Sequence, residues 1–420
     1  MGMFLDSNAH VPMSKSALNA LKGFNKSNAS HGNPNSPSFI GKNAAKALES
    51  ARENIARLIG AQNSNQIIFT SSATQACEWA VHILDKAGKH NVAMSPMEHP
   101  AVRMPIKEKL DNLAYLPVFN IDYLPIFKHE PTIIYNEYIR KTVGLDRLRF
   151  SSSWTEEKDN KILDELDVLW KNMSNDERIK VNKLSFKNLR NKNMFVCIHV
   201  QNEIGTIQPI EQLSKNNFVF SDMVQTPGKL KFNVTDMNVD ISVFGAHKFG
   251  GPSGVGFMYL KDTSIWQEFG TGSRYFMDIC GSANTSGIVA TSTALSKAIE
   301  TIDERTEKMV SFQNCSEKGL KELGFEIIGE NQERVKNTTF AKLPAGKNAL
   351  NLMLSLGEND VHMGLGSACG ALHTGSSTVM KALGIESDEQ EYIRISQWGD
   401  YGKEEAEMFV DILYKVIDTI

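Results

Sequence analysis

Residues 239–260 read VDISVFGAHKFGGPSGVGFMYL: a β-rich run, a histidine–lysine pair, a glycine-rich turn and a second β-rich run. Both runs, 239–244 and 256–260, are short and rich in aliphatic and aromatic residues, which predicts buried strands rather than amphipathic helices. His247 and Lys248 therefore stand just past a strand end, where a lysine side chain enters the crevice of an α/β sheet. Working outward, further β-rich runs occur at 66–70, 91–94, 194–200 and 217–220, several of them separated by helical stretches. Ala44, Leu48, Ala51, Ile55 and Leu58 recur at steps of three and four and stop at Gly60, which predicts an amphipathic helix over 43–59 with a glycine stop. Strands alternating with helices predict an α/β fold, a mostly parallel sheet covered on both faces.

The chain of 420 residues fits one large α/β domain and a smaller one. The stretch from about 104 to 190 is rich in Asn, Lys, Asp and Glu and reads as an insertion. Its best helix, 156–173, carries Ile162, Leu163, Leu166, Leu169, Trp170 and Met173 on one stripe, which reads as a peripheral decoration. The last part of the chain runs as helices with a few strands and ends in the helical EEAEMFVDILYKVI. The expected division is a large domain of 16–302 and a smaller α+β domain joining 1–15 to 303–420.

Forty-five basic and 49 acidic residues give a net charge of -4, too small for unspecific nucleic-acid binding. The five cysteines show no paired CxxC spacing, which argues against a disulfide framework or a structural zinc site and suits a reducing cytoplasm. The opening MGMFLDSNAHVP lacks a basic region followed by an apolar run, and no apolar stretch is long enough to span a bilayer. A cytoplasmic protein with neither membrane nor direct nucleic-acid contact is expected.

Desolvation in a crevice lowers a lysine pKa, so Lys248 can act as a nucleophile and form a Schiff base with an aldehyde cofactor. Alone, it reads as a solvated loop lysine, as most lysines beside a loop are. FVFSDMVQTPGK places Asp222 at the end of another β-run, where a carboxylate can hold a pyridinium N–H, with Gln225 able to donate to a phenolate oxygen of the same ring. A lone Asp there also reads as a helix cap. IIFTSSATQACEWAV gives a strand, a turn of small residues and a helix whose N-terminal N–H groups attract a phosphate, with Ala73 and Thr74 as contacts. That run, too, reads as ordinary capping.

Taken together with SPMEHPAV around His99, HVQNEIGTIQPI around Asn202, GSACG around Cys369 and YIRISQWG around Arg394, these segments resemble the cysteine desulfurases among the class V, fold type I enzymes of pyridoxal 5'-phosphate. The resemblance runs from FLDSNAHVP and HGNPNSP to the Arg394 segment, leaving out the insertion. It implies that His99 stacks on the cofactor ring and moves protons, that His247 adjoins the cofactor, that Asn202 contacts cofactor and substrate, and that Arg394 binds the substrate carboxylate with its fork. It also implies the chemistry. L-cysteine displaces Lys248, the freed lysine takes the α-proton, and the Cys369 thiolate attacks the substrate sulfur. A persulfide on the enzyme and L-alanine result, and a sulfur-acceptor protein takes the sulfur.

GSAC followed by GALHTGSSTVMKALG resembles the long loop of desulfurases serving iron–sulfur cluster assembly. Cys77, Cys197, Cys280 and Cys315 read as buried structural thiols. A homodimer is implied, with Ser282 in DICGSANTSG approaching the phosphate of the partner subunit. Two departures stand out: Gly245 and Ala246 replace a phosphate-binding serine, and no arginine precedes Gly281 and Ser282. Two other functions share these residues. One is a related lyase or aminotransferase, acting for instance on selenocysteine; the other is a degenerate desulfurase that only binds a scaffold or tRNA-modifying partner.

Overall fold

The computed structural model describes residues 2–86, 91–109, 112–115, 194–215, 217–264, 283–365, 377–383, 385 and 389–418. Cys369, Ser282, Cys280 and the expected helix 156–173 lie outside these residues.

A seven-stranded sheet is built from β2 (Ile67–Thr70), β3 (Asn91–Met94), β4 (Asn112–Tyr115), β5 (Met194–Val196), β6 (Phe218–Asp222), β7 (Ile241–Gly245) and β8 (Gly256–Leu260), in the order β2-β8-β7-β6-β5-β3-β4. Pairings from β4 through β7 are parallel, and only β8 runs against its two neighbours. The mostly parallel sheet is as expected. Alternate residues feed two cores: Ile67, Phe69, Phe195, Phe244 and Phe257 pack on one face, while Ile68, Val92, Val196, Val243 and Met258 pack on the other. Strands buried on both faces need continuous apolar runs, which is why these segments show little alternation in the sequence.

Helices α1 (Lys15–Lys26), α2 (Phe39–Ile59) and α6 (Thr285–Glu300) cover the first face. The second is covered by α3 (Ala73–Lys86) and α4 (Pro100–Lys109). Helix α2 begins before the expected residue 43. Ser38 Oγ accepts the Gly41 N–H at 3.1 Å, and the added first turn carries exposed Phe39 and Ile40, which break the apolar period. Its stop is the expected one, since Gly60 adopts φ 77° and caps the helix in the left-handed region. Strand β5 is shorter than the expected 194–200. Past Val196 the Cys197 and His199 N–H groups still bond Phe220 and Asp222 of β6, so the chain tracks β6 before turning at the Val200–Ile207 bridge. Residues 104–109 complete α4, and 112–115 form the edge strand β4 beside β3.

A second, five-stranded sheet has the order β1-β11-β12-β10-β9, from β1 (Met3–Leu5), β9 (Glu326–Ile327), β10 (Thr338–Lys342), β11 (Val361–Leu365) and β12 (Tyr392–Ser396). Helices α7 (Ile302–Glu322), α8 (Ala349–Glu358) and α10 (Lys403–Ile417) bury Phe312, Leu352, Leu356, Phe409 and Leu413 against Leu5, Ile393 and Ile395. The short helix α5 (Ile210–Leu213) buries Ile210 and Leu213 in the first core of the large sheet, and α9 (Thr378–Ala382) packs Val379 and Met380 with Phe340 and Tyr392 of the second sheet. Cys77 and Cys197 are buried as expected, whereas Cys315 on α7 is partly exposed, because it lies at the edge of the second core.

Candidate active site

The carboxyl ends of β3, β5, β6 and β7 lead into the segments that carry His99, Asn202, Asp222 and Lys248. Ligand crevices form at this edge of a parallel sheet. Strand β2 runs in the same sense as β7 and delivers the start of α3 to that edge. Here a cavity of about 300 Å³ opens, lined by Ala73, Thr74, His99, Asn202, Asp222, Gln225, His247, Lys248 and Arg394. The structure thus brings these expected residues together, from segments scattered along the chain; Cys369 and Ser282 are not among the described residues. A volume of this size suits a small ligand.

Each side chain is held from its own direction. Lys248 Nζ donates to the carbonyls of Asn8 and Ala9 at 2.6 and 2.7 Å. Asp222 Oδ1 accepts the Val224 N–H at 2.9 Å, a local turn of the kind a lone strand-end aspartate makes. Burial nevertheless raises its pKa to about 6, against the opposing pull of that N–H and of the Lys248 charge. His99 Nδ1 accepts the Ala101 N–H at 3.1 Å, which places the ring hydrogen on Nε2. Burial, helped by the Lys248 and Arg103 charges, lowers its pKa to about 4, so the ring is neutral at neutral pH. His247 is likewise lowered to about 4, by burial first and then by Lys248 and His10, the latter stacked on it at 5.8 Å.

Ser72 Oγ accepts the Gln75 N–H at 3.1 Å, so the capping role expected of this turn exists. It does not displace the Ala73 and Thr74 segment from the cavity wall. At the departure noted in the sequence, a Cβ on Gly245 would come within 3.3 Å of Ala73 Cβ and of His247 Cε1. Glycine keeps that narrow junction between β7 and α3 open. From the second sheet, Arg394 on β12 reaches the cavity while 1% exposed, its Nη2 on Asp6 Oδ1 at 2.6 Å and its Nε buried without a hydrogen-bond partner. Gly364 of β11 makes room for this pair, because a Cβ there would stand 2.6 Å from Asp6 Oδ1 and 3.0 Å from Arg394 Nη2.

Several lining residues carry no role in the sequence reading. Glu98 is fully buried. Its Oε1 accepts the Ile198 N–H at 2.5 Å, its Oε2 has no partner, and burial and the nearby Asp222 raise its pKa well above the ordinary range. Its position beside His99 in SPMEHPAV was the available signal. Asn8 and the Glu203–Ser377 pair, whose Ser377 Oγ donates to Glu203 Oε2 at 2.6 Å, also line the cavity. Only their place in the folded chain identifies them. With an amine, a buried carboxyl, a guanidinium and a helix start around one space, the site can take a small anionic ligand.

The aminotransferase class-V family matches residues 3–125 and 161–409, and the chain belongs to that family. Within it, the chain is 29% identical over 437 residues to the cysteine desulfurase IscS of Dictyoglomus turgidum, covering 100% of this chain and 95% of the relative. It is 26% identical to the cysteine desulfurase IscS of Clostridium botulinum over 92% of this chain and 87% of the relative. Among solved structures, the apo cysteine desulfurase from Thermococcus onnurineus superposes with a TM-score of 0.74 at 17% identity, over 100% of this chain and 95% of that one. This last likeness establishes the fold, that of the fold type I enzymes. Among the described residues no helix is long and apolar enough to cross a membrane, and no cluster of His, Cys, Asp and Glu could hold a metal ion.

Proposed function

We propose that this chain is a pyridoxal 5'-phosphate-dependent cysteine desulfurase that converts L-cysteine to L-alanine and collects the sulfur as a persulfide on Cys369. The observation that carries the proposal is the meeting of Lys248, buried Asp222 and Arg394 in one cavity of a chain whose relatives are cysteine desulfurases. The residues fit the cofactor. Asp222, buried at a cost that lifts its pKa to about 6, is matched by a ring N–H; the start of α3 suits the phosphate, and Lys248 the aldehyde. When bound, this cofactor supplies an electron sink that acidifies the α-hydrogen of an attached amino acid.

The chain's own groups do the rest. Arg394 binds the substrate carboxylate with its fork, held in direction by Asp6. Lys248 Nζ takes the α-proton, and the Asn8 and Ala9 carbonyls that accept its N–H groups stabilise the resulting ammonium. His99, neutral and carrying its hydrogen on Nε2, would help hold the cofactor and has that N–H to offer. Asn202, whose Oδ1 accepts from Gln201 Nε2 at 3.3 Å, and Gln225 line the cavity and would offer N–H groups to the ligand. The Cys369 thiolate attacks the sulfur of the substrate: the S–S bond forms as the Cβ–S bond breaks, and the electron pair of that bond stays with Cβ, which takes a proton to give alanine. Ser377 and Thr378, shortly after Cys369 in the chain, line the cavity and so support delivery of the thiol there.

The division into 16–302 and 1–15 with 303–420 is part of the proposal, supported by the pairing of β1 with β11 of the second sheet. So are a cytoplasmic homodimer and a protein acceptor for the sulfur. The apolar Phe39, 80% exposed at the start of α2, suits contact with a second copy. The test is cofactor uptake and alanine release from L-cysteine by the wild type and by Lys248→Ala. The proposal expects the visible band of lysine-bound cofactor and alanine from the wild type alone. A wild type that binds the cofactor but makes no alanine, even with candidate acceptor proteins, overturns it in favour of the lyase or aminotransferase chemistry. A wild type that binds no cofactor leaves the degenerate binding function.

A further inference from the structure

Behind the cavity wall lies an amine that the mechanism above does not use. Lys229, four residues after Gln225, is 4% exposed, and its Nζ donates to Asn8 Oδ1 at 2.8 Å and to Gln225 Oε1. Gln225 Nε2 donates in turn to the Asn8 carbonyl at 3.0 Å. The oxygen and nitrogen of a carboxamide are nearly alike in shape, so only its hydrogen-bond partners fix which one faces a ligand. A lysine ammonium can only donate, so Gln225 must turn its oxygen to Lys229 and its NH₂ the other way. One hydrogen of that NH₂ goes to Asn8, which leaves one for the cavity that Gln225 lines.

The same amine sets the second amide. Asn8 Oδ1 also accepts from Asn337 Nδ2 at 3.0 Å, while Asn8 Nδ2 donates to the Asn202 carbonyl at 3.1 Å and to Thr338 Oγ1 at 2.9 Å. Every donor and acceptor of the Asn8 side chain is then in use, and its backbone carbonyl holds Lys248. We propose that Lys229 is a positioning residue: it fixes the Gln225 carboxamide so that an N–H, not a carbonyl, meets an anionic oxygen of the ring-bearing ligand. A flipped amide would set a lone pair against that oxygen. The proposal rests on the cofactor assigned above. Keeping an amine buried here is costly, since burial and the charges of Lys248, Arg394 and Arg305 all lower its pKa; a neutral amine keeps two N–H groups for Asn8 and Gln225, and the Asn8 carbonyl, which can only accept, holds Gln225 Nε2 in the same sense.

The test measures cofactor affinity by absorbance titration in wild type, Lys229→Met, Gln225→Met and the double variant, with circular dichroism of the cofactor-free proteins to establish folding. Loss of a hydrogen bond to a charged oxygen weakens binding by roughly tenfold or more, so Lys229→Met is expected to do so in the wild-type background. In the Gln225→Met background only the Asn8 amide remains, and Asn337, the Asn202 carbonyl and Thr338 still hold it, so Lys229→Met is expected to change affinity by less than about twofold. Equal effects in both backgrounds, or no effect in either, overturn the proposal. If Lys229→Met does not fold, Gln225→Glu carries the test: its carboxylate pairs with Lys229 but turns an oxygen to the cavity, so affinity falls at least roughly tenfold, and unchanged affinity overturns the proposal. A wild type that takes up no cofactor refutes the function itself, which keeps the two failures apart.

Discussion

Replacing Asp222 by Asn should make the cofactor-free protein more stable while weakening its hold on the cofactor. A carboxyl whose folded pKa is raised holds its proton more tightly in the folded chain than in the unfolded one. Between the ordinary 3.8 and about 6, the unfolded chain has released that proton and the folded chain has not, so stability falls as pH rises through this window. The difference between 3.8 and about 6, at about 1.36 kcal/mol per pH unit, amounts to a penalty of up to about 3 kcal/mol, fully present at pH 8 and absent below the lower value. The opposing Val224 N–H and the Lys248 charge are already contained in it. The substituted carboxamide cannot ionise but keeps an oxygen for the Val224 N–H, now accepted at 2.9 Å. Urea denaturation of cofactor-free wild type and Asp222→Asn across the range from acid to pH 8 is the assay. The two curves should converge at the acid end and separate in favour of the variant as pH rises, while titration shows weaker cofactor binding. A variant no more stable than wild type at pH 8, or a gap that does not change with pH, would refute the reasoning.

Arg394→Lys replaces a fork by a point charge, so KM for L-cysteine should rise by roughly tenfold or more, with a smaller change in kcat, in steady-state assays. Gly364→Ala crowds the Asp6–Arg394 pair, where a Cβ would meet Asp6 Oδ1 at 2.6 Å; it should raise KM several-fold without altering the bound-cofactor spectrum. Away from the cavity, Arg334 Nη1 and Nη2 donate to the two oxygens of Glu317 at 3.0 and 3.2 Å, both residues being buried. Arg334→Met removes the charge paired with that carboxylate, which keeps only the Thr339 hydroxyl at 2.7 Å among the described hydrogen bonds, and should lower stability by about 3 kcal/mol, read as a shift in the urea midpoint.

Signals local to the sequence were the ones that survived folding. Lys248 and Asp222 announce themselves because each follows an apolar strand, and parallel strands bring their carboxyl ends to one edge whatever the connections between them. The Gly60 stop was legible for the same reason: one residue carries the conformation. Asn8 and Lys229 were not. Asn8 acquires its role from Gln225, Lys248, Asn337 and Thr338, all far away in the chain, and no short window contains that information. The start of α2 was hidden because its first turn exposes Phe39 and Ile40 where periodicity demands polar residues. Strand β5 read as too long because the apolar run continues past Val196 into a segment that keeps two backbone bonds to β6 without remaining a strand.

Desulfuration through an enzyme-borne persulfide is tested most directly by incubating wild type and Cys369→Ala with cofactor, L-cysteine and a reductant, then quantifying alanine and sulfide. The account predicts equal amounts of both products from the wild type, a sulfur-mass adduct on the peptide containing Cys369 before reductant is added, and neither product from the variant although it still binds the cofactor. Undiminished alanine and sulfide from Cys369→Ala would contradict it.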